Sequence, residues 1–517
     1  MSTDSPPPSR DDTPTGETPS GPVPPKKHRL PTPKRTVVVY TVIIVIAAIG
    51  TVLTHALLMT IFERKQEART PFQRVVEIDE DTIDPAVWGA NWPRQYESYM
   101  RTVDYERTRY GGSDAVPAQK LDVYPWLRTM WSGHAFSLDY REARGHAYML
   151  HDQDHTARVE QRPQTGACLH CHSSVLTAYR YAGEGDVMEG FRRVNAMSWD
   201  EARHLTDDEG RPLIEHPASC VDCHDPATIR LRITRPAFIE GIRVYKASQG
   251  IDDYDVHRDA SHLQMRSFVC AQCHVEYYFA KPDNQLVYPW HNGLLVEDQE
   301  AYYDEIEFHD WIHGITGAPM LKAQHPEFEL WSQGAHAQAG VACADCHMPY
   351  RRVGAMKVSD HHVRSPLLDV AASCQTCHNV PEEELLDRAH TIQDRTHALI
   401  ERAAEALTDM IEAIADAIEA GGTDEQLAPV RGLHRKAQWR LDFVFSENSH
   451  GFHASQESAR VLAESIDYSR RAVAAARDVK AAPEGPPREV EREPVRGVTP
   501  DEKAPPMPPP DATDPDQ

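Results

Sequence analysis

The sequence predicts a mainly α fold with an N-terminal transmembrane helix, long C-terminal helices and a cysteine-rich middle. Three observations predict it. Residues Thr36–Phe62 form an uncharged run of 27, rich in Val, Ile, Ala and Leu. All ten cysteines fall into five Cys-x-x-Cys pairs, each followed directly by His. Beyond residue 380 the apolar residues recur at helical spacing.

The ends come first. The chain has 517 residues and 39 prolines, ten of them in residues 1–36 and eleven in 481–517. Such segments bury too little apolar surface to offset the entropy of ordering. Residues 1–35 and 481–517 are therefore expected to be disordered tails. The net charge of −25 excludes nucleic acid as a partner, because phosphate binding needs a basic face.

About 20 apolar residues span a bilayer as a helix, so the run over 36–62 is long enough to cross with some tilt. A cleavable signal peptide has a shorter apolar region followed by small residues. This run ends in Leu57-Leu58-Met59-Thr60-Ile61-Phe62, so it reads as a retained anchor. Lys26, Lys27, Arg29, Lys34 and Arg35 precede it, against Arg64, Lys65 and Arg69 after it. The positive-inside rule then puts the N-terminus in the cytoplasm and everything after residue 62 on the other side. The expected location is the cytoplasmic (inner) membrane, crossed once, with the catalytic part in the periplasm.

The cysteine pairs are Cys168 and Cys171 with His172, Cys220 and Cys223 with His224, Cys270 and Cys273 with His274, Cys343 and Cys346 with His347, and Cys374 and Cys377 with His378. Zinc sites use two pairs per metal and do not need His at the next position each time. Structural disulfides do not repeat with this regularity, and thioredoxin-like pairs come singly. Cys-x-x-Cys-His is the attachment pattern of c-type haem: two thioethers, then an adjacent imidazole as proximal ligand. The reading is five covalently bound haem c groups, with a mainly helical chain wrapped around them. Five irons have ten axial positions, and the motifs fill five. A chain with every iron closed would carry electrons; one open iron would do chemistry on a small ligand.

At the third motif the chain reads Cys270-Ala-Gln-Cys273-His274-Val275-Glu276-Tyr277-Tyr278, and downstream Lys322-Ala323-Gln324-His325-Pro326-Glu327. With five haem motifs, this closely resembles the ammonia-forming cytochrome c nitrite reductases. The resemblance runs from about Trp88 to about Glu464. It implies a catalytic haem on Cys168 and Cys171, and a calcium site of Glu276, Tyr277, Lys322 and Gln324. Glu276 and Gln324 would ligate through side chains, Tyr277 and Lys322 through backbone carbonyls, as a hard cation requires. It implies a substrate pocket of Arg158, Tyr277 and His325. It implies distal ligands His146 for the third haem, His361 for the second, His336 for the fifth and His453 for the fourth. Arg144, His362 and His450 are rivals by residue type to Arg158, His361 and His453. The tally leaves the first iron without a sixth protein ligand. Many family members carry Lys where this chain has His172, a departure that bears on the iron's potential and ligand affinity.

The implied activity is reduction of nitrite to ammonium with six electrons. Arg158 would hold the anion, His325 would change charge near neutral pH and relay protons, and Tyr277 would donate a hydrogen bond. Hydroxylamine would be an alternative substrate. Other readings are an electron-transfer cytochrome without catalysis, or a reductase of hydroxylamine or sulfite. The family's usual donor is a membrane quinol-oxidising cytochrome.

Residues 63–380 are then the pentahaem catalytic domain and 381–480 a C-terminal helical region for dimerisation and haem covering. Helices are expected from Pro381 to about Ala420, stopped by Gly421-Gly422, from Asp424 to about Phe445, and from Gln456 to about Val479. The family implies that these helices form a homodimer.

Overall fold

The structure, a computed structural model, describes residues 33–67 and 73–479. Of the two expected tails, 481–517 and 1–32 lie outside the described residues. The chain divides into two units, Met1–Thr70 and Pro71–Gln517.

The described part of the first unit is one helix, α1, Pro33–Glu67. It is longer at both ends than the apolar run and none of its apolar window is buried in protein. Mean hydropathy over that window is 2.6. Thr41, Thr51 and Thr60 each return the hydroxyl to a carbonyl one turn back, so their polar atoms are satisfied within the helix.

The second unit is mostly short helices joined by loops, then three long helices. Among the described residues, strands are confined to three two-stranded antiparallel ribbons: Tyr278–Ala280 with Gln285–Val287, Trp311–Ile312 with Pro319–Met320, and Tyr350–Val353 with Met356–Ser359. The first ribbon follows the third motif directly, with Tyr278 opposite Val287. The helix entering that motif, α2, spans His262–Ala271 and starts on a capping box of Ser261 and Gln264.

The long helices are α3 (Glu382–Glu419), α4 (Asp424–Phe445) and α5 (Ser455–Arg477). Three glutamates fill the first turn of α3, where the helix dipole favours negative charge. Its end is a Schellman turn. Gly421 has φ +87°, its N–H donates to Ile418 O, and Gly422 N–H donates to Ala417 O. Thr423 caps α4 in a box with Gln426.

The helices pack by burying Ile400, Ala403, Leu407, Met410, Ile411 and Ile414 of α3 against Trp439, Phe443 and Val444 of α4 and Val461 and Leu462 of α5. A second apolar cluster, with Leu169, Tyr179, Phe238, Phe268, Tyr288 and Trp290, takes in the first and third motifs, and Val221 of the second motif joins a smaller one with Ile78, Trp88 and Leu176. Leu407 is 1% exposed in the three-helix cluster. Leu407→Ala is expected to cost about 2–5 kcal/mol. Thermal unfolding will show a lower midpoint, with haem content unchanged.

Candidate functional site: a clustered array of Cys-x-x-Cys-His turns

Each motif lies in or beside a helical turn. Leu169–His172, Cys220–Cys223 and Cys343–His347 are short helices, the third motif closes α2, and the fifth follows Val370–Ser373. Within one turn, residues three and four apart share a face, so both thiols and the imidazole present together. The motif backbone keeps that turn: His224 N donates to Cys220 O, His274 N to Cys270 O, and His378 N to Cys374 O, at 2.9–3.0 Å. The cysteines are all free of disulfides.

The motifs touch one another. Cys273 Sγ lies 3.9 Å from His170 O, and Cys343 N donates to Ser267 Oγ of α2 at 3.2 Å. Gln272 Nε2 donates to Asp222 O at 3.3 Å, and Ser373 Oγ donates to Cys346 O at 2.9 Å. The first, third, fourth and fifth motifs thus form a connected series, with the second beside the third.

Arg235 locks this array from inside. It is 1% exposed and faces an equally buried Asp222. Nη1 donates to Asp222 Oδ1 at 2.8 Å, Nε to His170 O at 2.6 Å and Nη2 to Ser173 O at 2.8 Å. One guanidinium therefore fixes the first motif to the second, using the fork geometry that lysine lacks. No local pattern in the sequence marks Arg235 for this role.

Four motif imidazoles face a second imidazole. Ring centres are 6.3 Å apart for His224 and His361, 6.2 Å for His274 and His146, 6.3 Å for His347 and His453, and 6.2 Å for His378 and His336. An imidazole nitrogen lies about 2 Å from the metal it ligates, so two rings on opposite sides of one metal have centres about 6 Å apart. The far nitrogens are also held. His172 Nδ1 donates to Met149 O (2.8 Å), His224 Nδ1 to Ile229 O, His347 Nδ1 to Arg364 O and His361 Nδ1 to Ser359 O (each 3.0 Å). His453 Nδ1 lies 2.7 Å from Glu447 Oε1. A ring that carries its proton on Nδ1 keeps the lone pair of Nε2 free to ligate a metal. The donor set fits axially ligated haem.

The rivals go elsewhere. His362 lies 3.4 Å from Glu106 Oε2, and His450 packs on Tyr110, ring centres 4.8 Å apart. Arg144 pairs with Asp152 at 3.0 Å and stacks on Tyr148. His172 has no imidazole ring contact among the described residues.

Arg158, Tyr277 and His325 converge near the first motif. Arg158 sits on the helix Ala157–Gln161, held by the buried carboxylate of Asp139. Asp139 Oδ2 accepts from Thr156 Oγ1 (3.0 Å) and Ala157 N (2.9 Å). Arg158 Nη1 donates to Asp139 O at 2.6 Å and the guanidinium lies 4.4 Å from the Phe136 ring centre. Arg158 and Tyr277 feel each other's charge and that of Cys168. His325 differs from expectation. Burial pushes its pKa down to about 3, helped by His274, His172, Lys322 and Lys120, so it is neutral at pH 7. The expectation of a ring titrating near neutrality took no account of that desolvation.

Glu276, Lys322 and Gln324 come together beside this group. Gln324 N donates to Glu276 Oε2 at 2.6 Å, Tyr303 Oη to Glu276 Oε1 at 3.1 Å, and Gln324 Nε2 to Lys322 O at 3.4 Å. Glu276 is 1% exposed, and burial pushes its carboxyl well above the usual range. No ion pair to Glu276 is found among the described residues. Burial likewise pushes Glu329 up to about 8 and Asp310 up to about 7. A buried carboxylate, a carbonyl and an amide oxygen in one place suit a hard cation.

Together the motifs and the imidazole pairs define a c-type cytochrome with several haem-attachment turns. The chain belongs to the cytochrome c552 family, whose sequence model matches residues 84–503. Cytochrome c-552 of Porphyromonas gingivalis is 36% identical over 420 residues, covering 78% of this chain and 79% of that protein. Cytochrome c-552 of Aliarcobacter butzleri is 33% identical over 447 residues, covering 84% of each. The fold matches the cytochrome c nitrite reductase of Desulfovibrio desulfuricans, a catalytic subunit with two calcium sites. The TM-score is 0.69 at 30% identity, covering 78% of this chain and 88% of that one. The chain therefore has the fold of a nitrite reductase-type oxidoreductase.

Removing one partner of a buried ion pair strands the other charge, at about 3–5 kcal/mol. Arg235→Gln is therefore expected to lower the unfolding midpoint steeply and reduce haem per chain, read by pyridine haemochrome. An unchanged midpoint would show that Asp222 does not depend on Arg235.

Proposed function

We propose that this chain is a membrane-anchored pentahaem reductase that converts nitrite to ammonium beside Cys168, Cys171 and His172. The observation that carries the reading is the asymmetry among the motif imidazoles. Four face a second ring, and His172 instead belongs to the group of Arg158, Tyr277 and His325. A pure electron carrier has no use for a buried arginine there.

His172, His224, His274, His347 and His378 would be proximal ligands, and His361, His146, His453 and His336 distal ligands in that order for the last four. Haem, when bound, would relay electrons from the donor and offer the substrate an iron. Arg158, a fixed cation, holds the anion and stabilises charge on its oxygens. Tyr277 donates a hydrogen bond to the same oxygens. His325, neutral and buried, accepts a proton on one nitrogen and releases one from the other. Hydroxylamine fits the same donors.

Glu276, Gln324 and the carbonyls of Tyr277 and Lys322 would hold calcium. Its charge would offset three buried carboxylates and the acidity of the whole chain. The length and hydropathy of α1 support a single-pass anchor in the inner membrane, with the second unit in the periplasm. There a quinol-oxidising membrane cytochrome would supply electrons, and α3–α5 would form a homodimer.

The test is ammonium formation from nitrite by the purified, haem-loaded protein with a reduced low-potential dye. Near-stoichiometric ammonium is expected. Arg158→Ala and His325→Ala should each lower turnover by about a hundredfold or more at unchanged haem content. Nitrite left unconsumed by fully loaded protein would favour an electron carrier.

A further inference from the structure

Lys322 faces two ways. Its carbonyl accepts from Gln324, beside Glu276. Its ammonium turns to α4, where it is 2% exposed and pairs with a completely buried Asp442 at 3.0 Å. It also donates to Ser446 Oγ at 3.1 Å and lies 4.6 Å from the Trp131 ring centre. Asp442 Oδ2 accepts from Ala323 N at 3.0 Å and Trp131 Nε1 at 3.3 Å. Ser446, the C-cap of α4 one turn beyond Asp442, donates to Ala323 O at 3.1 Å. Two residues on one helix face thus grip the ammonium, the next N–H and the next C=O of the segment that leads into Gln324 and His325.

Three acids then surround the Lys322–Gln324 segment: Asp442, Asp310, whose Oδ2 accepts from Lys322 N at 2.8 Å, and Glu276, whose Oε2 accepts from Gln324 N at 2.6 Å. Glu276 lacks an ion pair among the described residues yet feels the Lys322 charge. A lysine stem is flexible and its ammonium can redirect its donors. A buried ammonium without a counter-charge is costly, so without Asp442 it would turn to another acid. We infer that Asp442 is a positioning residue that keeps the Lys322 ammonium off Glu276, leaving that carboxylate free for a divalent cation. The inference rests on the calcium reading above.

The test uses the full-length, haem-loaded protein in detergent, stripped of calcium and titrated with calcium chloride by calorimetry. Asp442→Asn should weaken calcium binding by about tenfold or more, because the freed ammonium competes at Glu276. Lys322→Met with Asp442→Asn removes both charges and keeps the residue-322 carbonyl, so affinity should return to within about threefold of wild type. Affinity as weak in the double variant as in Asp442→Asn would overturn the inference, since only a structural role is then left. Unchanged affinity in Asp442→Asn would also overturn it. If Asp442→Asn does not load haem, the double variant decides alone: near-wild-type affinity supports sequestration, and lost affinity contradicts it. Wild-type protein that binds no calcium would remove the calcium reading and this inference together.

Discussion

One helical turn presents two thiols and an imidazole on the same face, and this constraint organises the whole second unit. For four motifs a second imidazole arrives about 6 Å away, ring centre to ring centre, from a distant part of the chain. His146 precedes every motif and His453 follows them all. Chain segments must therefore cross the array repeatedly, which favours short helices and loops over sheet. Among the described residues only two-stranded ribbons form.

Buried charge sets the finer geometry. Arg235 with Asp222 and Lys322 with Asp442 lie where water cannot screen them, and a fully buried Glu447 meets a partly exposed His453. Such pairs add little net stability against apolar replacements, but breaking one is costly. Their effect here is directional. Arg235 sets two motifs in register, Asp442 orients the segment before His325, and Glu447 fixes the ring of His453. Glu276 and Glu329 differ from these, being buried acids with hydrogen bonds but no ion pair among the described residues.

Much of this was legible in the sequence, because the motifs are local. The four ring pairs join the same histidines that the family resemblance pairs. The ends of α3, α4 and α5 fall within about two residues of the expected ones, since Gly421-Gly422 and Thr423 are strong punctuation. The long-range ties were not legible. Asp442 sits in Arg440-Leu-Asp442-Phe, where nothing in the local sequence marks a buried acid. In the structure α4 packs against both α3 and α5, so His434, Gln438, Arg440 and Asp442 are all buried. Arg235 likewise meets partners far off in sequence. His325 was misread in charge because a pKa depends on burial, which residue order does not show.

The most direct test of a single open position is the spin-state count in the oxidised, haem-loaded protein by low-temperature electron paramagnetic resonance and magnetic circular dichroism. One high-spin haem and four low-spin bis-imidazole haems are expected, with the high-spin signal shifting when nitrite is added. Five low-spin haems, or a high-spin signal that ignores nitrite, would contradict a catalytic site at His172.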